Sequence, residues 1–133
     1  MSKPGDILYC VRGSSTGRMN FSDREYCIGR GLASIRQKAN SNTKYIYYIL
    51  TQVTKRIFAE AKGAGSTFPN ISRKGLEETS ILIPPIDEQH KIASILSEID
   101  IKIENEQSYK SELEQLKKGL LQVLLTGKVR VKV

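Results

Sequence analysis

From Ile92 onward the sequence repeats in steps of seven, and that repeat constrains the fold more than anything else in the chain. Ile92, Ile99, Glu106, Leu113 and Leu120 mark the first position. Ile95, Lys102, Tyr109, Leu116 and Val123 follow three places on, then Leu96, Ile103, Lys110, Lys117 and Leu124 one place further. This is the apolar stripe of a coiled-coil helix, interrupted by charge in its middle. Pro84-Pro85 stands before it, and neither Gly nor Pro falls between Ile86 and Lys118. Nothing in that stretch breaks a helix. At 1.5 Å per residue such a helix reaches roughly 55 Å, longer than a small domain is wide. The rest of so short a chain cannot cover the stripe, so a partner helix is required. The apolar positions expected at that contact are Ile92, Ile95, Leu96, Ile99, Ile103, Tyr109, Leu113, Leu116, Leu120, Val123 and Leu124.

The 133 residues suffice for one modest domain besides the helix. Hydrophobic residues make up 39% of the chain, low for a globular protein but too high for a disordered one. No run approaches the roughly 18 apolar residues of a membrane span, and no signal peptide is recognisable, so the expected location is the cytosol. There Cys10 and Cys27, both in strand-like contexts, are expected to be buried free thiols. With one histidine they make no zinc site. The net charge of +7 is unevenly placed. Residues 1–86 carry 13 Lys or Arg against 6 Asp or Glu, whereas residues 87–133 carry 8 of each. A basic domain on a charge-balanced helix suits an anion-binding module joined to an oligomerisation device.

Along the basic part, residues 7–11, 26–29, 32–35 and 79–83 read as strands. Residues 44–62 carry apolar side chains at helical spacing and predict an amphipathic helix packed on the sheet, stopped by Gly63-Ala64-Gly65. Ser72 is placed to cap a short turn through Glu77. Asp87 and Glu88 sit in the first turn of the long helix, where acids suit its dipole. That helix ends near Thr126-Gly127. The expected fold is α+β: a small mixed sheet with one packed amphipathic helix, followed by a long C-terminal coiled-coil helix. The expected division is 1–86 for a basic domain, 87–126 for the long coiled-coil helix and 127–133 for a short basic tail.

Catalytic patterns are absent. The loops at Gly13 to Arg18 and at Gly63 to Thr67 lack the Gly-Lys-Ser/Thr that holds nucleotide phosphates, and Gly29-Arg30-Gly31 lacks the rest of a dinucleotide fingerprint. These glycines read as turns. Ile83-Pro84-Pro85-Ile86 has isoleucine where an amino-methyltransferase needs a polar acceptor and an aromatic ring. Asp87, Asp100 and Lys102 read as surface charges of a heptad helix rather than a nuclease centre. His90 stands without a nucleophile–acid constellation. No catalytic residue, metal site or cofactor is expected. Two polar loops remain as candidates for DNA contact: Arg12, Ser14, Ser15, Thr16 and Arg18 in one, and Lys62, Ser66, Thr67, Asn70, Ser72, Arg73 and Lys74 in the other. Arg and Lys neutralise phosphates or grip guanine, and Ser, Thr and Asn bond backbone or base edges.

The order of these segments resembles a known family. Gly5-Asp6-Ile7-Leu8 with Gly13-Ser14, the helix from Lys44-Tyr45-Ile46, and Gly65-Ser66-Thr67 with Asn70-Ile71-Ser72 are similar to the target-recognition domain of type I restriction–modification specificity subunits. Pro84-Pro85-Ile86-Asp87-Glu88-Gln89, with Ile92 and Leu96, resembles that family's Pro-Pro-x-x-Glu-Gln entry into its spacer helix. Leu124-Leu125-Thr126-Gly127-Lys128-Val129-Arg130-Val131 resembles the helix end. The resemblance implies a non-catalytic subunit in which two recognition domains each read half of a split site on double-stranded DNA. Two long helices, packed antiparallel, set their separation. It implies modification subunits that methylate adenine from S-adenosylmethionine, and a motor-nuclease subunit, as partners. With one recognition region, a short 1–86 and one helix, the chain is expected to be the C-terminal part of such a subunit or a natural fragment, pairing as a homodimer or with another specificity chain. The alternative is a coiled-coil interaction fragment that pairs with a full subunit, or with its partners, without binding DNA itself.

Overall fold

A computed structural model describes residues 1–62 and 70–132, apart from the side chains of residues 60–62. The chain divides into two compact units, Met1–Ser94 and Ile95–Val133.

The first unit is built on strand β1 (Ile7–Cys10), whose alternation puts Ile7 and Tyr9 in the core. β2 (Met19–Phe21) and β3 (Leu32–Ile35) flank it, giving the order β2-β1-β3. Both pairings are antiparallel, with Ile7 opposite Phe21 on one side and Ile35 on the other. The sheet is therefore antiparallel throughout, not mixed.

Two expected strands are absent. At Tyr26 the backbone pairs with Ser2 instead of joining the sheet: Ser2 N donates to Tyr26 O at 3.0 Å, and Tyr26 N donates to Ser2 Oγ at 3.1 Å. Cys27 is accordingly exposed and Cys10 half-buried, both free, against the expectation of two buried thiols. Residues 79–83 form no strand either. The carbonyls of Ser80 and Leu82 accept from Arg56 Nη2 at 3.0 Å and Tyr45 Oη at 2.8 Å, side chains of helix α1 (Thr43–Lys62).

Helix α1 (Thr43–Lys62) is capped by Asn42, whose Oδ1 accepts from Tyr45 N at 2.9 Å. Its buried face carries Tyr45, Leu50, Thr54 and Ile57. The proposed stop at Gly63-Ala64-Gly65 lies outside the described residues. Tyr9, Val11, Ile57 and Ile71 form the core cluster. The Tyr9 hydroxyl meets Thr54 Oγ1 at 3.0 Å, tying sheet to helix. Helix α2 (Arg73–Glu77) starts at Ser72, as its cap predicts: Ser72 Oγ accepts from Gly75 N at 3.0 Å.

Asp6 is buried beside β1, and four donors meet its carboxylate: Lys3 N at 2.8 Å, Ser34 Oγ at 2.7 Å, and Arg36 through Nε at 2.8 Å and Nη2 at 2.7 Å. The Arg36 guanidinium, helped by Lys3 and Ser34, holds the carboxyl well below the usual carboxylate range despite burial. A depressed folded pKa stabilises the fold fully above the unfolded value, about 4, and the contribution is lost as pH falls below it. Asp6→Asn should therefore destabilise the chain by about 2 kcal/mol at pH 7, discounted because Arg36 stays half in solvent. Between pH 5 and pH 3 the difference in melting temperature between wild type and variant should narrow.

Helix α3 (Ile86–Leu124) has 39 residues, about 58 Å at the standard rise. Its first turns belong to the first unit, where Gln89 and Ala93 are buried. In the second unit the stripe faces solvent: Ile95 is 61% exposed, Leu116 59% and Leu120 47%. Leu113, Leu116, Leu120 and Leu124 line a shallow apolar groove with Leu121 and Leu125. Gly127 (φ 73°) takes the left-handed turn that ends the helix, and Val129 N reaches back to Val123 O at 3.1 Å. Among the described residues no helix is long and apolar enough to cross a membrane.

Candidate nucleic-acid interface

The loop between β1 and β2 is a closed hairpin turn, not an open polar segment. Gly17 N donates to Cys10 O at 2.7 Å and Cys10 N to Arg18 O at 2.9 Å, so the two strand ends are clamped. Thr16 N and Oγ1 both bond Gly13 O, at 3.2 and 2.7 Å, and Arg18 N bonds Ser15 O at 3.0 Å. Gly17 sits at φ 86°, where an added Cβ would lie 2.5 Å from the Phe58 ring and 2.8 Å from Thr54 Cγ2. Glycine there lets the loop press onto α1.

Val11 then joins this loop to the second one. Its N–H donates to Gly31 O at 2.9 Å, and its carbonyl accepts from Ile71 N at 3.0 Å. Three segments remote in sequence thereby meet around one cleft of about 770 Å³. Ile28, Leu32, Ile71 and Leu76 give it an apolar lining, with Arg12, Arg30, Arg73 and Glu77 as its charged lining residues.

The expected contact residues fall into groups. Arg12, Ser14 and Arg18 are exposed, and Ser15 is half-buried. Thr16 is buried, with its hydroxyl turned to Gly13. Asn70 is exposed, and Ser72 spends its Oγ on the cap of α2. Arg73 Nε donates to Glu77 Oε1 at 2.7 Å, and Lys74 Nζ lies 3.7 Å from Glu78 Oε1. Both are surface pairs one helical turn apart. Solvent screens such exposed pairs, so either cation can exchange its carboxylate for a phosphate at little cost. Lys62, Ser66 and Thr67 lie outside the residues whose side chains are described. Arg12 and Arg73 share the cleft, while Arg18 and Lys74 are not among its lining residues.

Two residues escape a reading of the sequence. Arg30, between two glycines, reads as part of a turn, yet it joins Arg12 and Arg73 at the cleft. Its signal is a cation at the tip of a glycine-flanked loop. Gln89 is named in the sequence only within the Pro-Pro-x-x-Glu-Gln resemblance, and no local pattern signals that it is fully buried. His90 Nδ1 meets Asn42 Nδ2 at 3.0 Å, a contact between the starts of two helices. Among the described residues no three His, Cys, Asp or Glu side chains cluster as a metal site. Exposed arginines around a shaped cleft suit binding of a polyanion.

Comparison with known proteins agrees with this architecture. The family model for the type I restriction modification DNA specificity domain matches residues 2–115. The putative type I restriction enzyme MjaX specificity subunit of Methanocaldococcus jannaschii is 40% identical over 128 residues, covering 96% of this chain and 29% of that protein. The HindI specificity subunit of Haemophilus influenzae is 29% identical over 124 residues, covering 89% of this chain and 27% of its own length. The crystal structure of the HsdS subunit from Thermoanaerobacter tengcongensis superposes with a TM-score of 0.68 at 25% identity, over 92% of this chain and 30% of that one. The chain thus spans less than a third of the length of the curated relatives it matches.

Proposed function

The chain belongs to the type I restriction modification DNA specificity domain family, and from that premise we propose that it is a DNA-recognition component of a type I restriction–modification system. It carries no catalysis of its own and works in the cytoplasm. The observation that carries this reading is the family match over residues 2–115, which takes in both the arginine-bearing loops and most of the long helix. In this reading residues 1–86 contact double-stranded DNA, residues 87–126 are the spacer and pairing helix, and 127–133 form a basic tail. Arg12, Ser14, Ser15, Arg18, Asn70, Arg73 and Lys74 contact the duplex together with Arg30. Lys62, Ser66 and Thr67 join them as contacts, and Thr16 and Ser72 shape the two loops from within. Modification subunits and a motor-nuclease subunit dock on the paired chains and supply the chemistry.

The exposed stripe of α3 supports pairing with a second copy. An antiparallel pair puts Lys102, Glu106 and Lys110 near one another at the centre, where opposite charges meet across the seam. It also gives two identical half-sites related by a two-fold axis, so the target is a split palindrome.

Binding to pooled random duplexes, followed by salt titration on the enriched sequence, tests the reading. The expected result is a preferred sequence whose affinity falls steeply with salt, with a log–log slope growing by about 0.9 for each phosphate contacted. A chain that dimerises but has no affinity for any duplex at low salt would instead be a pairing fragment without DNA recognition.

A further inference from the structure

Gln89 is fully buried at the start of α3, and its amide holds three backbone groups from two segments. Its Oε1 accepts from Asn42 N at 2.9 Å, at the cap of α1. Its Nε2 donates to Pro84 O at 2.8 Å, in the Pro-Pro entry, and to Asn40 O at 3.3 Å, in the turn before α1. Asn40 is the one described non-glycine residue with a positive φ, 62°, so the turn offering that carbonyl is itself unusual. An apolar side chain of similar volume would fill the space and leave these three groups without the amide. The neighbouring His90–Asn42 contact, 3.0 Å, adds a second tie between the same two helix starts.

From this geometry we infer that Gln89 is a positioning residue for site selection: it fixes the angular phase at which the long helix begins. The inference rests on the DNA-recognition reading above. A helix turns about 100° and rises 1.5 Å with each residue. DNA turns about 34° with each base pair, given 10–10.5 base pairs per turn. A helix start free to rotate by about a third of a residue changes the relative twist of the two half-sites by about that of one base pair, which weakens the angular discrimination between neighbouring separations. A locked start admits one separation. Burial of an unbranched amide among three backbone partners is the means of locking, because hydrogen bonds are directional where apolar packing is not.

The test uses the full chain reconstituted with modification subunits. It is offered duplexes carrying the same two half-sites at a series of spacer lengths, and adenine methylation is read at each. Wild type should methylate one spacer length. Gln89→Met keeps the volume and loses the hydrogen bonds. It should spread methylation to the neighbouring lengths, each within about 3-fold of the best, with the half-site bases unchanged. Amide exchange at Asn42 should quicken at least 10-fold in the same variant. His90→Ala, which leaves the Gln89 bonds in place, should keep the wild-type spacer. A Gln89→Met chain that methylates only the wild-type spacer overturns the inference, as does failure of both Gln89→Met and Gln89→Glu to fold, which would make Gln89 a folding residue alone. Wild-type chain that yields no methylation at any spacer overturns the recognition reading itself, and the inference with it.

Discussion

Leu113→Asp combined with Leu120→Asp should leave the chain monomeric at concentrations where the wild type is a dimer. Both leucines lie on the exposed stripe of α3 and line the same apolar groove, each just under half exposed. Covering the exposed half of such a side chain in a helix pair is worth about 0.7–1.5 kcal/mol, and an aspartate there also places an unpaired carboxylate in the seam. A symmetric pair carries each change twice, so the loss is at least about 3 kcal/mol, or roughly two orders of magnitude in dissociation constant, before the cost of the buried carboxylates. Gln122→Asp, off the stripe, is the control and should not change the assembly state. Sedimentation at tens of micromolar reads the outcome. A wild-type chain that sediments as a monomer there contradicts self-pairing.

Charge reversal of Arg12, Arg18, Arg73 and Lys74 to Glu should lower duplex affinity by roughly 100-fold or more near 0.1 M salt and flatten the salt slope by about 3–4 units. The excess charge of the chain lies wholly in residues 1–86. The fold should tolerate the changes, because all four side chains are exposed and the carboxylate partners of Arg73 and Lys74 contribute little. Arg30→Glu alone should act in the same direction with a smaller effect. Neutralising Lys117, Lys118 and Lys128 should leave binding within about 3-fold. Loss of binding on that second set would move the DNA contact to the helix.

The contrast between the two halves of the chain explains what the residues disclose and what they conceal. The long helix is legible because its period repeats over many turns, and each apolar position reinforces the last. Ser72 as a cap and residues 32–35 as a strand are legible because local chemistry decides them. Strand β2 is not: three residues with Asn20 at the centre carry little β propensity, and the clamped hairpin loop imposes the pairing from outside. Residues 79–83 show the reverse. Their propensity is high, but Tyr45 and Arg56 take up their carbonyls and Pro84 closes the segment. At the candidate interface, composition locates the polar loops without giving the direction of each side chain. Thr16 faces inward, Ser72 caps a helix, and Arg30 joins the cleft through a backbone link between Val11 and Gly31 that no local pattern encodes.

On this reading the chain directs where a modification enzyme acts. Mapping methylated adenines across the genome of cells with and without the chain, with the modification subunits present in both, tests it most directly. A methylated split palindrome of fixed spacer length should appear only when the chain is present. An identical set of methylated sites in the two strains would contradict it.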